Sequence, residues 1–244
     1  MKTFVSILFI VFFRIYLFSQ ETVTFYASDS LPITASYYEK DASKPYMILL
    51  HQAGYSKGEY KETAPRLTNL GYNCLAVDLR SGEQVNFIQN ETAKEAKKRK
   101  LPTDYLDAKK DIEAAINYAY EKSQKPVILV GSSYSASLAL IIAKGNQKVK
   151  AVIAFSPGEY FGSTYKIQPQ LKNYDKPVFM ACMQREYPYV SELAKFIPDN
   201  FKTLFKPQEG QGEHGSKCLW SSSANNKEYW LGILMFFNRI NDKK

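Results

Sequence analysis

The chain has 244 residues, of which 45% are hydrophobic and 23% are charged. This length fits one α/β domain with a substantial core, and the composition excludes a disordered or repetitive protein. The net charge is +8, but the basic residues are scattered apart from a run at residues 94–100. We interpret that run as a solvated helix face, and no stripe of basic and aromatic residues predicts nucleic-acid binding.

The N-terminal stretch resembles a bacterial secretory signal peptide. Residues 4–18 are mostly apolar, Arg14 interrupts them, and the stretch is short for a membrane span. We therefore expect a signal peptide over residues 1–20 that is cleaved near its end. The mature domain would cover residues 21–244 and be periplasmic or secreted, without stable membrane association. An uncleaved membrane anchor is the alternative.

Short apolar runs then alternate with segments at helical spacing. The expected strands are residues 22–26, 33–38, 46–50, 72–77, 127–130, 149–155, 178–182 and 203–205. The expected helices are residues 61–69, 91–100, 105–122, 136–144, 192–196 and 226–240. This alternation predicts an α/β fold: a mostly parallel central sheet of about eight strands, with helices on both faces and an antiparallel hairpin at one edge. Sites in such sheets lie at the carboxyl ends of the strands.

Residues 125–137, KPVILVGSSYSAS, carry the strongest functional signal. An apolar strand turns into a helix within three residues, which lifts Ser133 onto a strained corner with its hydroxyl at the carboxyl edge of the sheet. This pattern predicts a nucleophile elbow, although Ser135 stands where the usual G-x-S-x-G motif ends in glycine. Small residues also occur in tight strand-to-helix turns that have no catalytic role, so the pentapeptide alone is weak evidence for a nucleophile.

A serine nucleophile requires a base within hydrogen-bond reach and a carboxylate that orients the base. The chain contains two histidines, His51 and His214. In this fold the triad follows the order serine, acid, histidine, and only His214 comes after Ser133. We interpret His51, which follows the third expected strand, as a structural residue that closes its loop.

Backbone N–H groups are expected to stabilise the oxyanion of the reaction. One donor is Tyr134, the residue after the nucleophile. The other lies in the loop after the third strand, where Ala53 or Gln52 is expected.

Several aromatic residues follow the strand ends or lie in the irregular segment at residues 156–174. Tyr55, Tyr160 and Phe161 have two interpretations: they line a substrate pocket, or they form the small core of a lid or insert. Specificity in this fold comes from loops and lids, here residues 81–104 and 156–174, and the sequence of neither loop identifies a substrate.

Several local motifs together resemble one family. They are residues 50–54 (LHQAG), 58–60 (GEY) and 78–82 (DLRSG), the elbow, and His214-Gly215. The chain resembles the α/β-hydrolase superfamily over residues 22–240, and specifically its dienelactone hydrolase-like serine esterase branch. The resemblance implies Ser133 as nucleophile and His214 as base. It also implies an acid after the strand at residues 178–182, where Glu186 falls. Most relatives have aspartate there, so Asp199 and Glu213 remain alternative acids.

These features predict an exported serine hydrolase that cleaves a carboxylic ester or a lactone through an acyl-enzyme. A serine peptidase is the alternative among enzymes, and a non-catalytic ligand-binding protein on the same fold is the alternative outside them. The expected partner is a small-molecule ester or lactone. No cluster of Cys, His and carboxylate residues has metal-ligand spacing and no phosphate-binding glycine motif occurs, so we expect no metal and no cofactor.

Three cysteines do not predict a disulfide scaffold. Cys74 and Cys182 fall inside expected strands, where they would pack as small apolar residues. We expect Cys218 to be the exposed thiol.

Overall fold

The computed structural model describes residues 21–241, so the expected signal peptide lies outside the described residues. The strands are β1 (Glu21–Tyr26), β2 (Pro32–Tyr38), β3 (Tyr46–Leu50), β4 (Asn73–Val77), β5 (Gln84–Val85), β6 (Ile88–Gln89), β7 (Val127–Ser132), β8 (Val149–Phe155), β9 (Val178–Ala181) and β10 (Lys202–Phe205). The α-helices are α1 (Thr63–Thr68), α2 (Glu91–Lys98), α3 (Lys109–Ser123), α4 (Tyr134–Ala143), α5 (Tyr187–Leu193) and α6 (Asn226–Asn241). Within residues 21–241, no helix has the length and apolar character that a membrane span requires.

Eight strands form one sheet in the order β1-β2-β4-β3-β7-β8-β9-β10. The pairs β1/β2 and β2/β4 are antiparallel, and the remaining pairs are parallel. The predicted mostly parallel sheet with an antiparallel edge is therefore confirmed. The short strands β5 and β6 form a separate hairpin, which the sequence pattern did not predict because each has only two residues.

Helices cover both faces of the sheet, and each face has its own apolar core. In β3, Ile48 and Leu50 belong to the core beneath α3 and α4, whereas Met47 and Leu49 belong to the core beneath α1 and α6. Because alternate side chains of a strand point to opposite faces, a strand buried on both sides is a continuous apolar run. This explains why the central strands were readable in the sequence.

Helix boundaries differ from the expected ones where local turns intervene. The helix expected over residues 105–122 begins as a short 3-10 helix, Tyr105–Ala108, before α3. The helix expected at residues 192–196 begins earlier as α5, with a proline in its first turn, where the missing N–H of proline costs nothing. Residues 156–174 contain one 3-10 helix (Gln168–Leu171), and Leu171 is buried in the same core as α4.

All three cysteines are buried and unpaired. The expectation that Cys218 is exposed is wrong, because a 3-10 helix over Gly215–Leu219 packs it into the core beneath α6 with 1% of its surface accessible.

Candidate active site

The turn between β7 and α4 holds Ser133 in a strained conformation. Its backbone has φ 60° and ψ −122°, a combination that residues with a side chain rarely adopt. The Ser133 N–H donates to the carbonyl of Phe155 at the end of β8 over 2.8 Å. A Cβ atom on Gly131 would lie 2.5 Å from Ala136 Cα, so only glycine allows the strand and helix to approach this closely. The elbow geometry that the sequence predicted is therefore present.

Ser135 occupies the position at which the usual elbow motif has glycine. Its hydroxyl donates to the carbonyl of Leu50 in β3 over 2.8 Å and accepts from the N–H of Ser132 over 3.0 Å. The side chain is fully buried, so these bonds satisfy a hydroxyl that would otherwise be costly to bury. The departure from the motif thus adds a link between the elbow and the neighbouring strand.

His214 and Glu186 are in direct contact. The two side chains are joined by a 2.6 Å hydrogen bond between His214 Nδ1 and Glu186 Oε1. Glu186 ends a 3-10 helix, Gln184–Glu186, which begins shortly after the end of β9. Burial raises the pKa of the Glu186 carboxyl, but hydrogen bonds from His214 and Ser156 outweigh it and leave the pKa below its ordinary value. Glu186 is therefore an anion at neutral pH and accepts the Nδ1–H of His214.

Ser156, the first residue beyond β8, connects the acid to the histidine loop. Its hydroxyl donates to Glu186 Oε2 over 2.6 Å and accepts from the N–H of Gly215 over 3.0 Å. Its own N–H donates to the carbonyl of Ala181 over 2.7 Å, and its φ of 49° is left-handed. Sequence reasoning missed this residue, although its place at the carboxyl end of a parallel strand was an available signal.

The loop that carries His214 lies directly against the elbow. The N–H of Ser216 donates to Ser132 Oγ over 2.9 Å, and a Cβ atom on Gly215 would lie 2.5 Å from the same oxygen. Since Ser132 precedes Ser133 and Gly215 follows His214, the candidate nucleophile and base lie at one edge of the sheet.

Within residues 21–241, no direct hydrogen bond joins the side chains of Ser133 and His214. The Ser133 hydroxyl instead contacts the phenol oxygen of Tyr160, which donates to the carbonyl of Ser156 over 2.9 Å. Burial raises the pKa of Tyr160, so the phenol stays protonated and able to donate. Catalytic hydrogen bonds in unliganded sites are often long and tighten only when substrate binds.

The two alternative acids are engaged elsewhere. Asp199 is 95% exposed and pairs with Lys202 over 2.8 Å, and Glu213 pairs with Lys217 over 3.9 Å. Of the three carboxylates considered, Glu186 is the one in contact with His214.

The loop after β3 presents one of its two candidate oxyanion donors. The N–H of Gln52 donates to Glu59 Oε2 over 2.7 Å, so the expectation that it serves the oxyanion is corrected: this donor is already occupied. The backbone N–H groups of Ala53 and of Tyr134, the first residue of α4, have no hydrogen-bond acceptor among the described residues. Both remain available to a negative charge that develops at Ser133.

His51 has a structural role in the same loop. Its Nδ1–H donates to the carbonyl of Gln52 over 2.8 Å, and its Nε2 accepts from the N–H of Leu79 over 2.9 Å. Complete burial lowers the pKa of His51, which keeps the ring neutral, and this agrees with the structural interpretation of the sequence.

Sequence comparison identifies the family. The family model that matches, over residues 33–196, is that of the dienelactone hydrolase family. The chain belongs to the dienelactone hydrolase family. As a member of this family it is an enzyme of the serine hydrolase and esterase type. The matched range contains Ser133 and Glu186 and ends before His214. No curated protein sequence matches the chain significantly.

Solved structures share the fold of this dienelactone hydrolase family member at low sequence identity. An esterase from Pyrococcus furiosus is 16% identical with a TM-score of 0.62, covering 91% of this chain and 93% of its own. A dienelactone hydrolase from Anabaena variabilis is 15% identical with a TM-score of 0.65, covering 90% of this chain and 95% of its own. An esterase from Pyrobaculum calidifontis is 15% identical with a TM-score of 0.65, covering 91% of this chain and 84% of its own. These similarities establish the α/β-hydrolase fold.

Beside the elbow, this family member has a groove of about 530 Å³. It is lined by three aromatic residues, two acidic residues and one leucine: Tyr105, Tyr160, Phe161, Asp104, Asp107 and Leu106. The ring of Tyr105 stacks on that of Tyr134 at 4.4 Å between centroids, so the groove adjoins the residue after the candidate nucleophile. Two of the three aromatic residues expected at a substrate pocket line this groove, whereas Tyr55 does not.

Tyr55 instead contributes its backbone to the loop after β3. Its N–H donates to the carbonyl of Gln52 over 3.3 Å, and its carbonyl accepts from the side chain of Asn90 over 3.2 Å. Among residues 21–241 of this dienelactone hydrolase family member, no group of three or more His, Cys, Asp or Glu side chains is arranged to hold a metal ion.

Proposed function

We propose that this protein is an exported serine hydrolase that cleaves a carboxylic ester or a lactone through Ser133, His214 and Glu186. The observation that carries the proposal is the 2.6 Å hydrogen bond between His214 Nδ1 and Glu186 Oε1, in a loop packed against the elbow of Ser133. Membership of a hydrolase family and the fold shared with esterases support the same class of reaction.

The hydrogen bond to Glu186 determines which nitrogen of His214 is basic. Because Nδ1–H donates to the anionic carboxylate, Nε2 carries the lone pair. As the Ser133 hydroxyl attacks the carbonyl carbon of the substrate, Nε2 takes its proton, and Glu186 stabilises the imidazolium that forms. His214 then gives this proton to the leaving oxygen as the acyl–oxygen bond breaks, and water releases the acyl group from Ser133 by the same steps.

The oxyanion of the tetrahedral intermediate would accept from the N–H groups of Tyr134 and Ala53. Removing one such donor costs about 3–4 kcal/mol of transition-state stabilisation in a well-studied protease. Tyr134 N–H is also the first of α4, where the unsatisfied amide groups favour a negative charge.

The chain departs from the family pattern at Ser135, where the elbow motif usually has glycine, and at Glu186, where most relatives have aspartate. These two departures are the reason for the alternative of a non-catalytic ligand-binding protein. The hydroxyl of Ser135 is bonded to both β3 and the elbow, and the longer side chain of Glu186 reaches His214. Both contacts favour turnover over binding alone.

A fluorophosphonate probe tests the proposal, because it reacts only with an activated serine. We expect wild-type protein to be labelled on Ser133, and labelling and hydrolysis of p-nitrophenyl acetate to disappear in Ser133→Ala and His214→Gln. Ser222→Ala, which removes an exposed hydroxyl, is the matched control. Folded wild-type protein that stays unlabelled would support the binding alternative. Export is tested separately by fractionating cells and measuring the mass of the mature chain, which we expect to begin near residue 21.

A further inference from the structure

A fully buried carboxylate, Glu59, lies beneath the candidate active site and has no part in the chemistry above. Its Oε1 atom accepts from the hydroxyls of Ser132 over 2.7 Å and Ser216 over 2.6 Å. Its Oε2 atom accepts from the backbone N–H of Gln52 over 2.7 Å. One side chain thus receives three hydrogen bonds from three separate segments of the chain.

Glu59 forms no ion pair with a lysine or arginine among the described residues. A buried carboxylate without a cation is costly unless hydrogen bonds replace its hydration. Burial raises its pKa, and the bonds from Ser216, Ser132 and Gln52 oppose that rise. The N–H of Gln52 can only donate and the two serine hydroxyls can also donate, so these partners accommodate an ionised carboxylate, which can only accept.

The three donors belong to the segments that carry the proposed catalytic groups. Ser132 directly precedes the nucleophile, Ser216 follows His214 by two positions, and Gln52 precedes the candidate oxyanion donor Ala53. We propose that Glu59 is a positioning residue that sets the elbow, the histidine loop and the oxyanion loop relative to one another. The inference rests on the proposed function for the catalytic meaning of those segments.

The oxyanion loop illustrates how this positioning operates. Glu59 fixes the N–H of Gln52, and His51 fixes its carbonyl over 2.8 Å. With both ends of this residue held, the orientation of the following peptide is fixed, and with it the direction of the Ala53 N–H. Rotation of the loop would break the hydrogen bond between the Gln52 N–H and the buried Glu59 carboxyl group.

The histidine loop is held to the elbow through the same carboxylate. The hydroxyl of Ser216 donates to Glu59 while its N–H donates to Ser132 Oγ over 2.9 Å, and the Ser132 hydroxyl donates in turn to Glu59. These three bonds close a ring, so a shift of either segment disturbs the other.

Replacing Glu59 with glutamine tests the inference, because the shape stays while the charge and one acceptor are lost. For Glu59→Gln we expect kcat for p-nitrophenyl acetate, normalised to the sites that a fluorophosphonate titrates, to fall about 10- to 100-fold. We expect KM to change less than about 3-fold, because the groove is untouched. Ser216→Ala should lower kcat less than Glu59→Gln does. In the variant that carries both substitutions, the fold decrease in kcat should be smaller than the product of the two single decreases, because the two residues share one hydrogen bond.

Glu62→Gln is the control, since it removes the same charge from an exposed residue of the same segment that contacts Ser221. A second readout needs no catalysis: amide hydrogen exchange at Gln52 and Ser216 should accelerate in Glu59→Gln and not in Glu62→Gln. If Glu59→Gln does not fold, Ser216→Ala carries both measurements.

The outcomes separate the two proposals. An inactive, unlabelled wild type with accelerated exchange in Glu59→Gln would overturn the proposed function and keep the positioning role. Unchanged kcat per titrated site together with unchanged exchange would overturn the positioning role. A lower melting temperature with unchanged kcat per titrated site would also overturn it, because Glu59 would then stabilise the fold alone.

Discussion

The hydroxyl of Ser156 donates to Glu186 Oε2 over 2.6 Å, which fixes the carboxylate oxygen that His214 does not use. The same hydroxyl accepts from the N–H of Gly215, beside the histidine. The side chain of Ser156 therefore positions both Glu186 and the loop that carries His214. The left-handed backbone of Ser156 shows that the chain tolerates strain at this position.

Removing this hydroxyl tests its contribution to the site. A hydrogen bond to a charged group contributes about 1.5–3 kcal/mol, so Ser156→Ala should lower kcat about 10- to 100-fold while KM changes little. Ester hydrolysis by the purified variant measures the effect. Ser156→Gly removes the hydroxyl without the backbone strain, and the two variants should be equally slow. Wild-type kcat in either variant would contradict the prediction.

Shortening the acid should weaken its hold on the base. In Glu186→Asp the carboxylate withdraws by about one methylene from the 2.6 Å bond to His214, and we expect kcat to fall about 10-fold. Glu186→Gln keeps the length but removes the charge that stabilises the imidazolium, and should cost about 10³- to 10⁴-fold, as in other triads. Steady-state kinetics of both variants give the comparison. An aspartate variant slower than the glutamine variant would show that reach matters more than charge.

Restoring the usual elbow motif should destabilise this protein. Ser135→Gly loses the bonds to Leu50 and Ser132 and places glycine in the first turn of α4, so the free energy of unfolding should fall by about 1–2 kcal/mol. Urea denaturation measures the change. Ser135→Ala loses the hydroxyl but keeps a high helix propensity, so its free energy of unfolding should lie between those of wild type and Ser135→Gly. A glycine variant as stable as wild type would show that the hydroxyl contributes nothing.

His51 should make stability depend on pH. Burial lowers its pKa below 6.5 in the folded protein, so the unfolded chain binds a proton that the folded chain does not. The neutral His51 ring therefore makes its full contribution to the free energy of unfolding above pH 6.5. As the pH falls below 6.5, this free energy decreases by at most about 1.4 kcal/mol per pH unit. Urea denaturation between pH 7.5 and 5.5 should show this loss in wild type, and a smaller loss in His51→Asn. Equal slopes in the two proteins would count against a neutral buried ring.

The groove beside the elbow should select among substrates. Phe161 is half-buried in its wall, so Phe161→Ala removes apolar contact area without touching the triad. For esters with a bulky aromatic acyl group, we expect KM to rise about 3- to 10-fold, because the acyl group loses apolar surface that it would bury against Phe161. For acetate esters, whose acyl group is too small to use this surface, we expect KM to stay unchanged. A panel of p-nitrophenyl esters provides the measurement. Equal changes for acetate and aromatic esters would place the acyl group elsewhere.

Much of the fold could be predicted because its determinants are local. The central strands are continuous apolar runs, and Gly131 and Ser133 lie two residues apart, so the elbow appears within a few letters of sequence. The hairpin of β5 and β6 was missed because two-residue strands leave no periodic pattern. The exposure of Cys218 was misjudged because it depends on where a short 3-10 helix docks, which periodicity does not encode.

The supporting shell of the site could not be predicted, because its contacts join distant positions. Glu59 meets Ser132 across 73 residues and Ser216 across 157, and Ser156 meets Gly215 across 59. Each is an ordinary polar residue in a turn until the sheet brings these segments together. The same applies to Gln52, whose N–H looked free for an oxyanion until the position of Glu59 was known.

The three buried thiols can report on local unfolding of this protein. Cys74 lies in β4, Cys182 follows β9, and Cys218 lies under α6, each with at most 1% of its surface accessible. A small alkylating reagent can reach each sulfur only after the part of the protein above it has separated. The order in which the three become modified would therefore reveal which edge of the sheet gives way first.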